Sequence, residues 1–364
     1  METGTMITEQ VQPAKSPANR QHFEILDGLR GIAAVVVVIF HFMEVVFPDY
    51  SKNFAGRGFL AVDFFFCLSG FVIAYAYDDR MAKMSIKDFF RARLIRLHPL
   101  VILGTVMGLI TFLFDPFMAP PAAYGFGKTA LILLTSFLLI PFPVMPERYF
   151  NLFSFNAPSW SLFWEYVANI FYGLILWRVN RYVLMVLAFV AAIALGFTAY
   201  RAGNLMGGWG KDSFTDGCAR LSYSFLAGML IYRFRLIIRS RLGFPGLTLL
   251  LLIALFLPYF PNNWAVELFV VLFYFPLLIS LGAGARLVSS LQRLCVFSGK
   301  ISYPLYMTHY GFIWIFAHYL ETCKPDQTTL TLVITASVVI LIGIGWGAMK
   351  LFDEPIRNYL KRKW

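Results

Sequence analysis

Arg30, His41, Glu44, Asp63, Glu165 and His309 all fall within stretches that are otherwise almost wholly apolar. Charge or ionisable nitrogen at membrane depth is costly, so each is a functional candidate by default. The chemistry such a set suggests is proton transfer. An imidazole acts as base, and a carboxylate holds its second ring nitrogen and raises its basicity. His41 lies six residues before the end of the first apolar run, and Asp63 four residues after the start of the second. If those runs cross in opposite directions, the two side chains share a depth. Glu165, seven residues into the run that opens APSWSLFWEY, lies at a comparable level. His41, Asp63 and Glu165 therefore form the candidate catalytic set, weighed against a buried pair that only fixes helix packing. His309, about 12 Å beyond Ile301 by helical rise, would line the same cavity lower down. His98 and His318 lie nearer the ends of their runs and read as structural.

A second group is cationic. The stretch DDRMAKMSIKDFFRARLIRLHP carries Arg91, Arg93 and Arg96 just before the third run. Membrane topology alone favours arginines there. Arginine forks also match phosphate oxygens, so the cluster is a candidate phosphate clamp. Arg30 would add to it, because the N-terminus of its helix favours anions, with Asp27 as N-cap. Arg30 and His41 stand eleven residues apart, about 16–17 Å along a helix.

These residues need apolar helices to hold them, and the composition supplies helices. Of 364 residues, 59% are hydrophobic and only 14% charged, against about a quarter charged in soluble domains. Several runs reach the roughly 20 residues needed to cross a bilayer. The expected fold is an all-α integral membrane bundle of about ten transmembrane helices. The spans are 26–47, 59–77, 97–114, 158–177, 182–200, 218–232, 244–260, 264–283, 300–320 and 328–352. The run 129–140 is too short to span and is expected to be re-entrant or interfacial. Residues 1–24 read as a flexible cytoplasmic tail and 25–360 as one transmembrane domain. Residues 1–24 have no apolar core and so are not a cleavable signal peptide.

The net charge of +11 reflects topology rather than nucleic-acid binding. With both termini cytoplasmic and 129–140 not crossing, 23 of the 31 basic residues face the cytoplasm. If that run crossed, Arg233 to Arg241 would face outward. Cys67, Cys218, Cys295 and Cys323 lack metal or disulfide spacing, so no metal is expected.

Taken together, the motifs resemble the acyltransferase 3 family of bacterial membrane proteins over residues 24 to 360. The likeness rests on LDGLRGIAAVVVVIFHF around Arg30 and His41, VDFFFCLSGFVIAY around Asp63, Ser69 and Gly70, and FFRARLIRLHPL. It extends to PSWSLFWEY around Trp160 and Glu165, SGKISYPLYMTHY around Tyr306 and His309, and DEPIRNYLKR. His98 stands where the family usually has Tyr, and Phe163-Trp164 replaces smaller residues. The resemblance implies transfer of an acyl group, usually acetyl, from cytoplasmic acyl-CoA to a hydroxyl of a saccharide or glycolipid. The setting would be the bacterial inner membrane, with no permanently bound cofactor and no nucleic acid. On that reading Arg30, Arg91, Arg93 and Arg96 hold the CoA phosphates. Ser69 and Gly70 leave room for the pantetheine arm. His41 is the general base, oriented by Asp63 or Glu165, with an acyl-histidine intermediate as the mechanistic alternative. Trp160, Tyr306 and His309 complete the substrate-binding set. A proton-coupled transporter or flippase is the rival reading, and the absence of an evident internal repeat counts against it.

Overall fold

The computed structural model describes residues 22–119 and 123–363. Nearly all of the tail 1–24, with Lys15 and Arg20, lies outside the described residues. Every named element among the described residues is a helix.

The chain opens on α1 (Glu24–Val46), whose apolar run continues for six turns. Phe23, not Asp27, occupies its N-cap, and no side chain caps it. Asp27 sits within the first turn and pairs instead with Arg30 at 2.7 Å and His22 at 2.9 Å. Next come α2 (Ala61–Tyr77) and α3 (Ile86–Leu113). α3 starts well before the span expected at 97–114. Ser85 caps it by accepting the Asp88 amide at 3.0 Å and donating its hydroxyl to the Asp88 carboxylate at 2.6 Å. Arg91, Arg93 and Arg96 therefore lie within a helix rather than in a loop.

The short apolar helix α4 (Phe126–Phe137) follows, about 18 Å long by helical rise. The return segment after it packs into the bundle, burying Leu152, Phe153, Phe155 and Asn156. α5 (Ser159–Phe171) widens into a π turn at Tyr172–Leu176. Then come α6 (Arg181–Ala202), α7 (Phe214–Arg233), α8 (Gly243–Leu255), α9 (Asn263–Phe269) and α10 (Phe275–Gly284). α11 (Ser289–Thr308), α12 (Tyr310–Cys323), α13 (Gln327–Ala348) and α14 (Glu354–Lys363) close the chain.

Among the described residues, six stretches are long and apolar enough to cross a membrane. They are Glu24–Val46, Gly58–Tyr77, Ile86–Leu113, Arg181–Ala202, Asn263–Gly284 and Gln327–Lys363. The remaining expected crossings fall on shorter or more polar helices, namely α5, α7, α8 and the α11–α12 pair. α6 shows how the outside is built. Val186, Phe189, Val190, Ile193 and Phe197 are exposed along it, an arrangement that suits lipid and not water. The chain is a multi-pass membrane protein.

Inside the bundle, α1 packs chiefly on α11 and α2 on α7. Between apolar helices in lipid, close backbone approach supplies the attraction. Gly70 on α2 and Gly228 on α7 provide it, since a Cβ on Gly70 would strike the carbonyl of Phe225 and one on Gly228 that of Cys67. Pro304 lies inside α11, where it cannot donate to the carbonyl four residues earlier. The helix breaks five residues later at His309, which separates α11 from α12.

Candidate active site

His41 and Glu44 are three residues apart on α1, so they share a helical face. His41 Nδ1 lies 2.5 Å from Glu44 Oε1. A carboxylate can only accept, so Nδ1 carries the proton and Nε2 keeps its lone pair. Tyr50, in the α1–α2 loop, donates its hydroxyl to the other Glu44 oxygen at 3.3 Å. Burial, with the Glu44 charge behind it, pushes the Tyr50 phenol well above its ordinary pKa, so it stays a donor. The arrangement is a histidine–carboxylate dyad with its imidazole held in one tautomer, a geometry that general-base chemistry can use.

A second imidazole stacks on the first. The rings of His41 and His309 lie 5.3 Å apart at 26°. His309 Nδ1 is 3.1 Å from the Leu305 carbonyl of its own helix, which again leaves Nε2 unprotonated. That nitrogen is buried and has no hydrogen-bond partner among the described residues. Tyr310 stands edge-on to His41 at 4.9 Å. Beyond it are Trp314 and Arg148, the guanidinium 4.0 Å from the indole centroid.

Neither carboxylate expected beside His41 is there. Asp63 is fully buried against Arg220 of α7, with its Oδ2 2.5 Å from the guanidinium. Arg220 also donates to the carbonyls of Gly207 at 2.8 Å and Phe59 at 3.1 Å. Trp160 lies 5.2 Å from the same guanidinium, so it packs on this ion pair instead of lining a substrate path. Glu165 accepts from Ser69 at 2.6 Å and from Arg93 at 2.9 Å. Each of the two carboxylates points to a different partner. Gly70 does not leave room for a ligand either, because α7 fills the space beside it. Tyr306 hydrogen-bonds the Ser161 hydroxyl at 2.8 Å, and its ring lies 6.0 Å from that of His309. His98 and His318 are engaged elsewhere, with Tyr166 at 3.4 Å and Asp115 at 2.7 Å.

At the other end of α1 the charge is positive. Arg30 donates to Ser302 Oγ at 3.0 Å and to the Gly299 carbonyl at 2.8 Å, and pairs with Asp27. Arg93 is paired with Glu165, and Arg357 of α14 with Asp353 at 2.9 Å. Both keep a buried Nε–H without a partner among the described residues. Arg96 is solvent-accessible. Arg93, Arg30, Arg357 and Asp27 lie within electrostatic reach of it. No carboxylate among the described residues forms an ion pair with Arg96. Arg91 is half-buried on the same helix. Three arginines thus have carboxylate partners and Arg96 adds a charge in excess, which suits an anion such as a phosphate.

The sequence reading missed Arg357 as a contributor and the pairing of Glu44 with His41. Arg357 sits in the DEPIRNYLKR stretch, whose basic charge reads as topology. Glu44 carries a legible signal in its three-residue spacing from His41.

Residues 23–349 match the sequence model of the acyltransferase domain family. Protein 2 in the picA locus of Rhizobium radiobacter is 34% identical over 173 residues, covering 44% of this chain and 84% of that protein. Acyltransferase MdmB of Streptomyces mycarofaciens is 33% identical over 149 residues, 39% of this chain and 36% of MdmB. A protein of Staphylococcus aureus (strain COL), provisionally named an O-acetyltransferase, is 40% identical over 93 residues, 24% of this chain and 14% of its own length. None of the solved structures matches at the same stringency.

Proposed function

Because the chain belongs to the acyltransferase family matched by residues 23–349, we propose that it is an O-acyltransferase. It moves an acyl group, acetyl in the first instance, from acyl-CoA to a hydroxyl of a saccharide or glycolipid. The observation that carries this reading is the His41–Glu44 dyad standing at one end of α1, with a cluster of arginines at the other.

The arginine end receives the donor. Arg96, with Arg30 and Arg357 around it, takes the CoA phosphates, and Arg93 is held to Glu165 behind them. Arg91 extends the basic face. The pantetheine arm spans the roughly 16–17 Å between Arg30 and His41. Since α2 and α7 are in contact at Gly70, the arm runs beside α11 and α3, which supply Arg30's partners and the arginines.

At His41, Nε2 removes the proton of the acceptor hydroxyl while its oxygen bonds to the thioester carbonyl carbon. The carbon–sulfur bond then breaks, and the departing thiolate takes the proton back from the imidazolium. Glu44 steadies the cation formed between those steps, and Tyr50 steadies Glu44. His309, with its free Nε2, contacts the acyl group or the leaving sulfur. Asp63 and Arg220 hold α2 to α7 and take no part in the chemistry.

In the membrane, ten crossings with both termini in the bacterial cytoplasm put the arginine end on the acyl-CoA side, supported by the distribution of basic residues. The acceptor then arrives from the outer face.

The test is transfer of label from [14C]acetyl-CoA by the purified protein in detergent, with mass spectrometry of surface glycans with and without the gene. Failure to transfer label or hydrolyse acyl-CoA overturns the reading.

A further inference from the structure

A cavity of about 300 Å³ opens at the His41 end of the bundle, walled by the α1–α2 loop, the start of α9 and the segment after α6. Tyr50, Asn53, Arg57, Asn204 and Tyr259 are among its lining residues. Its size lies at the low end for small-molecule sites.

Two features make it a built site. First, Asn53 and Arg57 are 7% and 2% exposed, yet Asn53 Nδ2 and Arg57 Nε have no hydrogen-bond partner among the described residues. Buried donors in folded proteins are almost always satisfied, so a pair of unsatisfied ones in a single wall calls for a ligand that accepts. The rest of that wall is hydrogen-bonded within itself. Arg57 donates to Leu257 and Pro258 carbonyls and to Asn263. Glu267 accepts from the Leu205 amide at 2.7 Å and from Asn263. Second, the cavity is wired to the dyad. Tyr50 forms part of its wall and donates to Glu44, which holds His41.

The wall also indicates the ligand's chemistry. The carboxylates of Asp49 and Glu267 line the same cavity as Arg57, so an anion gains little. The free donors need oxygen acceptors, and the Tyr50, Phe59 and Tyr259 rings offer apolar surface. Oxygen acceptors beside apolar faces describe a neutral sugar ring. We infer that this cavity is a saccharide-binding subsite that anchors one sugar of the acceptor while a neighbouring hydroxyl reaches His41. Calling the ligand an acceptor rests on the acyltransferase reading; the binding does not.

The experiment compares wild-type protein, Asn53→Asp and Ser51→Trp, each in detergent, on an array of neutral and acidic bacterial-type glycans. Asn53→Asp keeps the Oδ1 that accepts the Ala55 amide at 2.9 Å and replaces the free Nδ2 donor with a carboxylate oxygen that can only accept. Ser51→Trp adds bulk at an exposed position on the cavity rim. Gel filtration establishes that all three are monodisperse. Wild type is expected to retain neutral glycans, with binding weakened roughly five- to tenfold in Asn53→Asp and lost in Ser51→Trp. Equal retention by all three, retention of acidic glycans alone, or no retention by wild type overturns the proposal. Label transfer in the same preparations judges the acyltransferase reading separately. Transfer without cavity-dependent retention leaves that reading standing and removes the subsite, and retention without transfer does the reverse.

Discussion

Two close pairs of ionisable groups in the bundle differ in how far each is closed off from its surroundings. In Asp63–Arg220 the side chains are 0% and 1% exposed, and the guanidinium is closed in by the carbonyls of Gly207 and Phe59 and the ring of Trp160. In His41–Glu44 they are 18% and 23% exposed, and one imidazole nitrogen remains free. In the sealed pair every guanidinium nitrogen already donates to a protein oxygen, which ties α2 to α7. An open pair keeps a lone pair for a substrate. On the proposed reading exposure, more than proximity or charge, separates a fastener from a reagent, and this can be broken at four points.

The largest effect is expected from His41→Ala, which should lower acyl transfer about 10²- to 10⁴-fold with an unchanged gel-filtration profile. Transfer near the wild-type rate would remove the dyad from the mechanism. Asp63→Ala should do the opposite and cost folding. Stranding a buried guanidinium is worth roughly 3–5 kcal/mol, read as loss of the monodisperse peak and a lowered melting temperature. The double variant Asp63→Leu with Arg220→Met should regain much of that stability. A well-folded but inactive Asp63→Ala would instead make the sealed pair part of the chemistry. Third, Glu44→Gln removes a charge-assisted hydrogen bond and should slow transfer roughly 10- to 100-fold at unaltered stability. Smallest is Arg96→Ala, expected to raise the KM for acyl-CoA about tenfold with kcat little changed. An unmoved KM would place the donor phosphates elsewhere.

The helical membrane class, the apolar helices and the family were legible in the sequence, because hydropathy and ordered motifs are local properties of the chain. Hydropathy also gives each residue a height along its helix. What depth does not provide is the rotation of each helix about its own axis. Asp63 and Glu165 were assigned to His41 on height alone, whereas the structure turns one toward Arg220, 157 positions away, and the other toward Arg93. Arg220 gave no cue, since an arginine near the end of an apolar stretch reads as topology. Glu44 was readable from its helical spacing, and the Ser85–Asp88 cap would have moved the start of α3 back and drawn Arg93 and Arg96 into the bundle. The π turn after α5 and the break at His309 shift azimuth as well, and only assembled packing reveals by how much.

The length of α6 carries one further consequence. Its 22 residues, lined by exposed apolar side chains, are about 33 Å long, matching a hydrocarbon core of about 30 Å with slight tilt. Arg30 and Glu44 are fourteen residues apart on α1, about 21 Å. The stretch of α1 from Arg30 to Glu44 is thus shorter than the apolar face of α6. On the proposed reading a substrate must pass below the headgroups to reach at least one of those ends, so bilayer thickness and headgroup packing bear on how readily it arrives. Thicker membranes should throttle the protein without altering a single one of its contacts.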